Sequence, residues 1–270
     1  KNIKFIATGT KENTNYTVLD KATGQSAKTM PITLLSLDQK NKIKMPFTQG
    51  EYNQGGTATL FYCDYQLIIS RQHKDARNKN EKITDDHTSE DYTFTVIRRK
   101  YPKGENKQSV WEFLAPSPEE CFHFSAKRLM INTENYGMKY TSNFEYGTFI
   151  KMFDYQMVPK STKTTMIHTK LKFTLSSLMP DIKFPIYFSE SRDEHAHKVK
   201  DSNLIGLHTR LLEDKKNNLE CKPIYGSIAV KEVSIPYTIN IFKKINTRFF
   251  KNNQSVIMMM NGQNQGEIEQ

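Results

Sequence analysis

An aspartate at the end of a short β-rich run is the first residue whose position suggests ligand chemistry. Asp20 closes the run YTVLD, and the following residues KATGQ include Gly24. A strand that ends in a carboxylate and turns at a glycine can hold that carboxylate in a pocket while the backbone approaches a ligand closely. The same pattern is common in ordinary turns, so taken alone it leaves a purely structural role for Asp20 open.

A glycine-rich segment, GEYNQGGT at residues 50–57, is the second candidate site. Backbone N–H groups at Asn53, Gly55 and Gly56, together with a helix start, would form a ready site for phosphates. The preceding residues 40–54 are polar and rich in lysine, which is typical of a mobile loop. A glycine cluster without further context does not distinguish a phosphate site from a flexible turn.

The elements that would position these residues are mostly strands. Residues 1–8 and 16–20 predict an opening hairpin, because a polar turn separates two β-rich runs. Further strands are predicted within 57–70, 92–99, 110–114, 147–155, 184–188, 227–241 and 255–260, short helices at 28–37 and 169–178, and a helix or loop at 116–130. A polar break after Met157 predicts a first domain at residues 1–157 and a second at 158–270. The predicted fold class is α+β with strands in the majority.

Composition limits the class of protein. The chain has 270 residues, 37% hydrophobic and 25% charged, as expected for a globular protein that builds its own core. No apolar run is long enough to span a bilayer, so we expect a soluble, cytoplasmic protein without a membrane partner. Three widely spaced cysteines indicate buried or half-buried thiols instead of a disulfide framework. The net charge of +10 leaves a nucleic-acid partner open.

Taken in order, these segments resemble the GHKL superfamily of ATPases, which includes gyrase, MutL, the heat-shock chaperone and the histidine kinases. Residues 16–71 are similar to the stretch between the adenine-binding aspartate box and the second glycine box, most of all in bacterial proteins related to MORC. EYGTFIKMFDYQM at 145–157 resembles the closing strand of the ATPase sheet. LMPDIKFPIYFSESR at 178–192 and NGQ at 261–263 resemble parts of the transducer. The resemblance implies a two-layer α/β sandwich of the Bergerat type, incomplete at its N-terminus, followed by an α+β transducer-like domain.

The resemblance also implies roles for individual residues. Asp20 would accept a hydrogen bond from the exocyclic amine of adenine, Thr148 would support that contact, and Gly24 would keep the turn near the base. The phosphate contacts would come from the glycine-rich loop and the lid, at Asn53, Gly55, Gly56, Lys40 and Lys42. The implied cofactors are ATP and Mg²⁺, and the implied partner is a second copy of the chain, joined when nucleotide closes the lid.

Two departures from the family pattern bear on these roles. Lys21 stands where the family has asparagine, and Ala22 stands where it has glycine, so the turn is expected to be tighter or the affinity weaker. The glutamate that activates water and the asparagine that holds magnesium belong to a helix expected upstream of Lys1. The catalytic residues are therefore unknown, and the chain as given is expected to hydrolyse ATP poorly.

Other patterns compete for a function. His195 and His197 alternate in a charged segment, which favours a solvated loop over a metal site, so no metal ligand is predicted for this chain. Cys121 and His123 in CFHF look like one strand face and not a nucleophile pair. The basic and aromatic segment 239–253 predicts either an amphipathic helix or, as the weaker reading, a nucleic-acid contact.

Three functional hypotheses follow from the sequence. The leading one is the ATP-binding module of a clamp or remodelling ATPase, with DNA processing or anti-phage defence as family-level analogies. The alternative is a non-catalytic interaction or scaffold protein that keeps the GHKL fold without turnover. A third is a nucleic-acid-binding domain without a nucleotide site.

Overall fold

The computed structural model divides the chain into two compact units. It describes residues 3–10, 12–36, 59–77, 86–101, 109–131, 142–156, 171–182, 184–192, 202–213, 219–243, 255–260 and 262–269. The first unit comprises Lys1–Ile167 and Ile186–Asn203, and the second comprises His168–Pro185 and Leu204–Gln270. The boundary predicted at residues 157 and 158 lies outside the described residues. The two units interleave along the chain, in place of the predicted division into two consecutive domains.

A mixed sheet of nine described strands forms the first unit. The strands of this unit, including the separate hairpin of β7 and β8, are β1 (Ile3–Gly9), β2 (Thr14–Asp20), β3 (Tyr65–Arg71), β4 (Tyr92–Lys100), β5 (Val110–Phe113), β6 (Phe122–Phe124), β7 (Leu129–Ile131), β8 (Ser142–Phe144), β9 (Gly147–Phe153), β10 (Ile186–Glu190) and β11 (Ser202–Leu204). Their order in the sheet is β11-β10-β1-β2-β9-β3-β4-β5, with β6 beside β4. β1 and β10 are parallel, whereas the pairs from β1 through β2, β9 and β3 to β4 are antiparallel.

The central strands confirm the predictions made from β-rich runs and the turns between them. β1 and β2 form the predicted opening hairpin, with Ile3 opposite Asp20 at one end. In β3 the buried residues Gln66, Ile68 and Ser70 alternate with more exposed ones, as a strand with two different faces requires. The strand predicted at residues 184–188 is β10, and its pairing with β1 places it in the first unit and not in the second domain.

Two apolar clusters lie on opposite faces of this sheet. Phe149 and Ile150 are consecutive in β9 and belong to different clusters, as the pleat dictates. The first cluster joins the sheet to the β7–β8 hairpin and contains Leu19, Tyr92, Ile131, Phe144 and Phe149. The second contains Met30, Leu60, Ile68, Ile97 and Cys121. The sheet is therefore anchored from both sides.

Helices are few in the described residues of the first unit. They consist of α1 (Thr29–Ile32) and 3₁₀ turns at Thr59–Tyr62 and Lys74–Ala76. The predicted mixture of helices and strands with strands in the majority is confirmed. The segment 116–130, predicted as helix or loop, instead contains β6 and the start of β7. Strands of three residues are too short to show an alternating pattern, which explains this error.

The second unit has two helices and two hairpins among its described residues. They are α2 (Lys172–Leu178), α3 (Leu207–Glu213), β12 (Ile224–Val230) with β13 (Val233–Ile239), and β14 (Ser255–Met260) with β15 (Gln263–Glu269). The predicted helix at 169–178 and strand at 255–260 are confirmed, whereas the run 227–241 is a hairpin. Leu207 and Leu211 of α3 pack against Phe242 and Ile257. No helix in the described ranges has the length and apolar composition needed to span a bilayer.

Candidate functional site

Three polar side chains form a row across the middle of the sheet, where β2, β9 and β3 lie side by side. The register pairs Asp20 with Thr148 and Thr148 with Ser70. Thr148 and Ser70 are buried, and Ser70 is completely so. Two residues further along the same strands, Ile150 and Ile68 lie on the same face and belong to the second apolar cluster. The row is therefore the polar end of an otherwise apolar face.

Asp20 is held in place by two backbone donors. Its Oδ1 accepts from Thr148 N at 3.2 Å and from Ala22 N at 2.9 Å. Its Oδ2 has no hydrogen-bond partner among the described residues. Burial raises the pKa of the Asp20 carboxyl above its ordinary value, and the two backbone hydrogen bonds oppose that rise without cancelling it. The result is a fixed carboxyl group with one oxygen available to a donor.

The loop that follows Asp20 is tied to β3 and to the residues after it. His73 N donates to Thr23 O at 2.8 Å, and Gln25 N donates to Ser70 Oγ at 2.8 Å. Gly24 has φ +68, and a Cβ on it would overlap the carbonyl oxygen of Arg71. Position 24 therefore requires glycine, both for its backbone conformation and because a Cβ has no room there. The sequence placed Gly24 beside the site because a glycine lets the backbone approach a ligand, whereas the close neighbour in the structure is the carbonyl oxygen of Arg71.

The two departures from the family pattern do not disturb this turn. Ala22 is not among the described residues with positive φ, so its backbone conformation does not call for glycine. Its N–H donates to Asp20, which any residue except proline would also provide. Lys21 is exposed and leaves the carboxyl group of Asp20 to its backbone partners.

A second glycine closes the site from the side of β9. Gly147 has φ +102, and a Cβ there would overlap the carbonyl oxygen of Asp20. Its own carbonyl accepts from Ser70 Oγ at 2.7 Å. Gly147 and Ser70 were not singled out from the sequence, although the GT pair at 147–148 was the available signal. Ser70 had no such signal, because one serine in a strand is an ordinary occurrence.

Five of the predicted site residues lie outside the described residues, namely Lys40, Lys42, Asn53, Gly55 and Gly56. The structure therefore brings Asp20, Thr148 and Gly24 together, and the predicted phosphate contacts stay predictions. His195 and His197 also lie outside the described residues, as does most of the segment 239–253.

A buried polar network lies next to the loop after Asp20. Ser26 Oγ donates to Asp86, and Asp86 Oδ1 accepts from Thr88 N at 3.0 Å and from Thr88 Oγ1 at 2.7 Å. Ser26 also shares hydrogen bonds with Thr29 at the start of α1. Asp86 thus has three donors for its carboxylate, which is how a buried charge is normally accommodated. This network fixes the loop to the turn at residues 86–90.

The cysteines and His123 agree with the interpretation of CFHF as one strand face and not a nucleophile pair. Cys63 and Cys121 are buried and Cys221 is exposed, and none of them forms a disulfide. Burial raises the pKa of the Cys121 thiol to about 12, so the thiol is not a nucleophile at neutral pH. His123 lies in β6 and contacts carboxylates, and not the thiol of Cys121.

Comparison with solved structures shows a distant likeness. No family profile matches the sequence, and no curated protein matches it. Among solved structures, the chain is similar to the 43K ATPase domain of Thermus thermophilus gyrase B in complex with an aminocoumarin, with a TM-score of 0.35 and 9% sequence identity. The alignment covers 90% of this chain and 52% of that chain, so the chain spans about half the length of its neighbour. A likeness this remote transfers no function to the chain.

Proposed function

We propose that this chain is an ATP-binding module in which Asp20 reads the adenine base. The observation that carries the proposal is the carboxyl group of Asp20, fixed through Oδ1 and available through Oδ2. The exocyclic amine of adenine is a donor and a carboxylate is an acceptor, so the two groups are complementary. In the GHKL resemblance Asp20 and Thr148 hold the positions that contact adenine, and here their strands are adjacent.

Thr148 is the second residue whose side chain is available to form a hydrogen bond with the base. Ser70 accepts from Gln25 N and donates its only hydroxyl proton to Gly147 O, so its proton is committed. Thr148 Oγ1 lies 3.4 Å from Ser70 Oγ, which is a weak contact. The hydroxyl of Thr148 is therefore able to bind a ring nitrogen of the base, directly or through a water molecule.

The remaining parts of the proposal come from the resemblance alone. Asn53, Gly55 and Gly56 would lie against the phosphates, and Lys40 would neutralise their charge. Asp86 already has three donors and Asp20 is assigned to the base, so no carboxylate of the described site is left as a magnesium ligand. Mg²⁺, lid closure and dimerisation are accordingly proposed for the whole protein.

The alternative function is a scaffold that keeps the site geometry without binding nucleotide. Under this alternative, Asp20 serves only to cap the N–H groups of Thr148 and Ala22. The two proposals differ in a direct measurement, because only the first requires Oδ2 of Asp20 to meet a ligand.

Thermal melting with and without ATP and Mg²⁺ separates the two functions. At 100 times the dissociation constant, a ligand stabilises the folded state by about 2.7 kcal/mol. For a chain of this size that corresponds to a rise in melting temperature of about 5–10 °C. CTP is the matched control, because it carries the same triphosphate on a different base. Equal shifts with both nucleotides would point to phosphate binding without base recognition, and no shift at millimolar ATP would favour the scaffold.

A further inference from the structure

A cluster of two histidines and a glutamate lies apart from the row of Asp20, Thr148 and Ser70. We propose that His87, Glu120 and His123 bind a divalent transition metal of the zinc class. One ligand atom from each residue lies within 4.8 Å of the other two. His123 belongs to β6, Glu120 to the bridge just before it, and His87 to the turn before β4. Two segments of the first unit, the turn that carries His87 and the stretch from Glu120 to His123, therefore converge on one point.

The distances in the cluster suit a tetrahedral metal. Zinc binds imidazole nitrogen and carboxylate oxygen at about 2.0–2.2 Å, so two ligand atoms on one tetrahedral ion lie roughly 3.4 Å apart. His123 Nε2 and Glu120 Oε1 are already 3.1 Å apart. His87 is exposed, and its ring needs only a side-chain rotation to complete the third position. A fourth position would be left for water or for a substrate group.

Both ring nitrogens of His123 contact carboxylate oxygens. Its Nδ1 lies 2.8 Å from Asp91 Oδ2, and its Nε2 lies 3.1 Å from Glu120 Oε1. In the tautomer with the N–H at Nδ1, that group donates to Asp91, and the lone pair of Nε2 is directed toward the side of Glu120, as a metal ligand requires. The ring is thus bound like a metal ligand whose other nitrogen is oriented by a carboxylate.

The backbone holds His87 and His123 in place without any metal. His123 is paired with Thr93 of β4, a residue that is completely buried. His87 sits between Asp86 and Thr88, which are both buried and joined by two hydrogen bonds. Positioning of this kind lowers the conformational cost of assembling a site. Two imidazoles and one carboxylate are a donor set that zinc, cobalt and iron(II) all accept.

Zinc titration of the intact chain, followed by calorimetry, tests the proposal. We expect one Zn²⁺ per chain, and binding at least tenfold weaker in His87→Gln and in Glu120→Gln. His87 is exposed, so its variant is expected to fold normally. His208→Gln, in α3 of the second unit, is the matched control and should bind zinc like the parent chain. Asp91→Asn should weaken binding about 10- to 100-fold through loss of the orienting carboxylate.

Cobalt(II) supplies a readout that a structural role would not produce. Co²⁺ replacing Zn²⁺ at a tetrahedral site of nitrogen and oxygen ligands gives visible absorption bands, which should be lost in His87→Gln. The proposal is overturned if the parent chain binds no zinc at micromolar concentration. It is also overturned if binding is unchanged in His87→Gln and Glu120→Gln but lost in a variant of His195 and His197. In that case the cluster is a hydrogen-bond network and not a metal site.

Discussion

Replacing Asp20 with asparagine converts the proposed base contact from attractive to repulsive while leaving the turn intact. Oδ1 of Asp20 accepts from Thr148 N and Ala22 N, and an asparagine oxygen can accept both bonds in the same place. The opposite orientation of the amide would set its NH₂ group against two N–H donors. The amide nitrogen must therefore take the position of Oδ2, where it presents a donor to the amine of adenine.

The magnitude follows from the loss of one acceptor in a partly buried site. A donor left without an acceptor costs about 1–3 kcal/mol. At 25 °C this corresponds to ATP binding about 5- to 150-fold weaker. ITP carries a carbonyl oxygen where ATP carries the amine, so Asp20→Asn should bind ITP more tightly than the parent chain does. The preference between the two nucleotides is thus expected to reverse: the parent chain should bind ATP more tightly than ITP, and Asp20→Asn should bind ITP more tightly than ATP.

Calorimetric titration of both nucleotides into the parent chain and two variants is the measurement. Asp64→Asn is the matched control, because Asp64 is exposed and its substitution removes the same charge from the same unit. Its affinities should equal those of the parent chain. If Asp20→Asn binds ATP within about twofold of the parent chain, the base contact is not made by Asp20 and the proposed function fails.

The same variant tests the pKa of Asp20 in the absence of ligand. Burial raises this pKa in the folded state above the unfolded value, so the folded chain binds more protons over the interval between the two values. Stability then falls as the pH rises through that interval, and the ionised carboxyl is unfavourable at neutral pH. Asp20→Asn should therefore melt higher than the parent chain at pH 7, and the difference should shrink as the pH falls below the folded-state pKa.

The other predictions concern packing and burial. Gly24→Ala should destabilise the first unit by at least about 1–3 kcal/mol in chemical denaturation, because φ at position 24 is +68 and a Cβ there would overlap a backbone carbonyl. Gly266→Ala is the control and should cost less, because a Cβ at position 266 would meet only a flexible methionine side chain. Arg192→Met should cost about 3–5 kcal/mol, since the buried guanidinium is the partner of a buried carboxylate, and a loss under 1 kcal/mol would show that the pair is not formed. Under native conditions a thiol reagent at pH 7 should modify Cys221 alone, because it is exposed while burial raises the pKa of Cys121 to about 12; rapid reaction of all three thiols would contradict the described burial.

The sequence was informative where a pattern is local. The opening hairpin and the strands around Asp20 and Thr148 follow from β-rich runs of several residues and from the polar turn between the first two, and they are confirmed. The segment 116–130 is predicted as helix or loop, and only CFHF within it is read as a strand face, because a three-residue strand such as β6 is too short to show a period. The parallel pairing of β1 with β10 was also missed, since no local signal records a contact between distant segments.

The candidate sites likewise combine features that a local pattern predicts with features that depend on contacts between distant segments. The position of Asp20 beside Thr148 was predicted from family resemblance, and the register of β2 and β9 places them together. The approach of His87 to His123 was not predicted, because a turn and a short strand bring together residues far apart in the chain. The sequence indicated Gly147 only as part of the GT pair at 147–148. Its requirement for glycine depends on the pairing of β2 with β9, which brings the carbonyl oxygen of Asp20 to the place that a Cβ would occupy.

The choice of aspartate at position 20 is itself an argument for a ligand. An asparagine would accept from Thr148 N and Ala22 N equally well, without the cost of burying a charge. Nearby, Gly24 and Gly147 both adopt positive φ so that the backbone can pass close to its neighbours. The glycines adopt this backbone without strain, so the buried carboxyl group is the unfavourable choice at this point, and such choices are expected at functional sites. A bound donor at Oδ2 would offset the cost of burying the carboxyl group of Asp20.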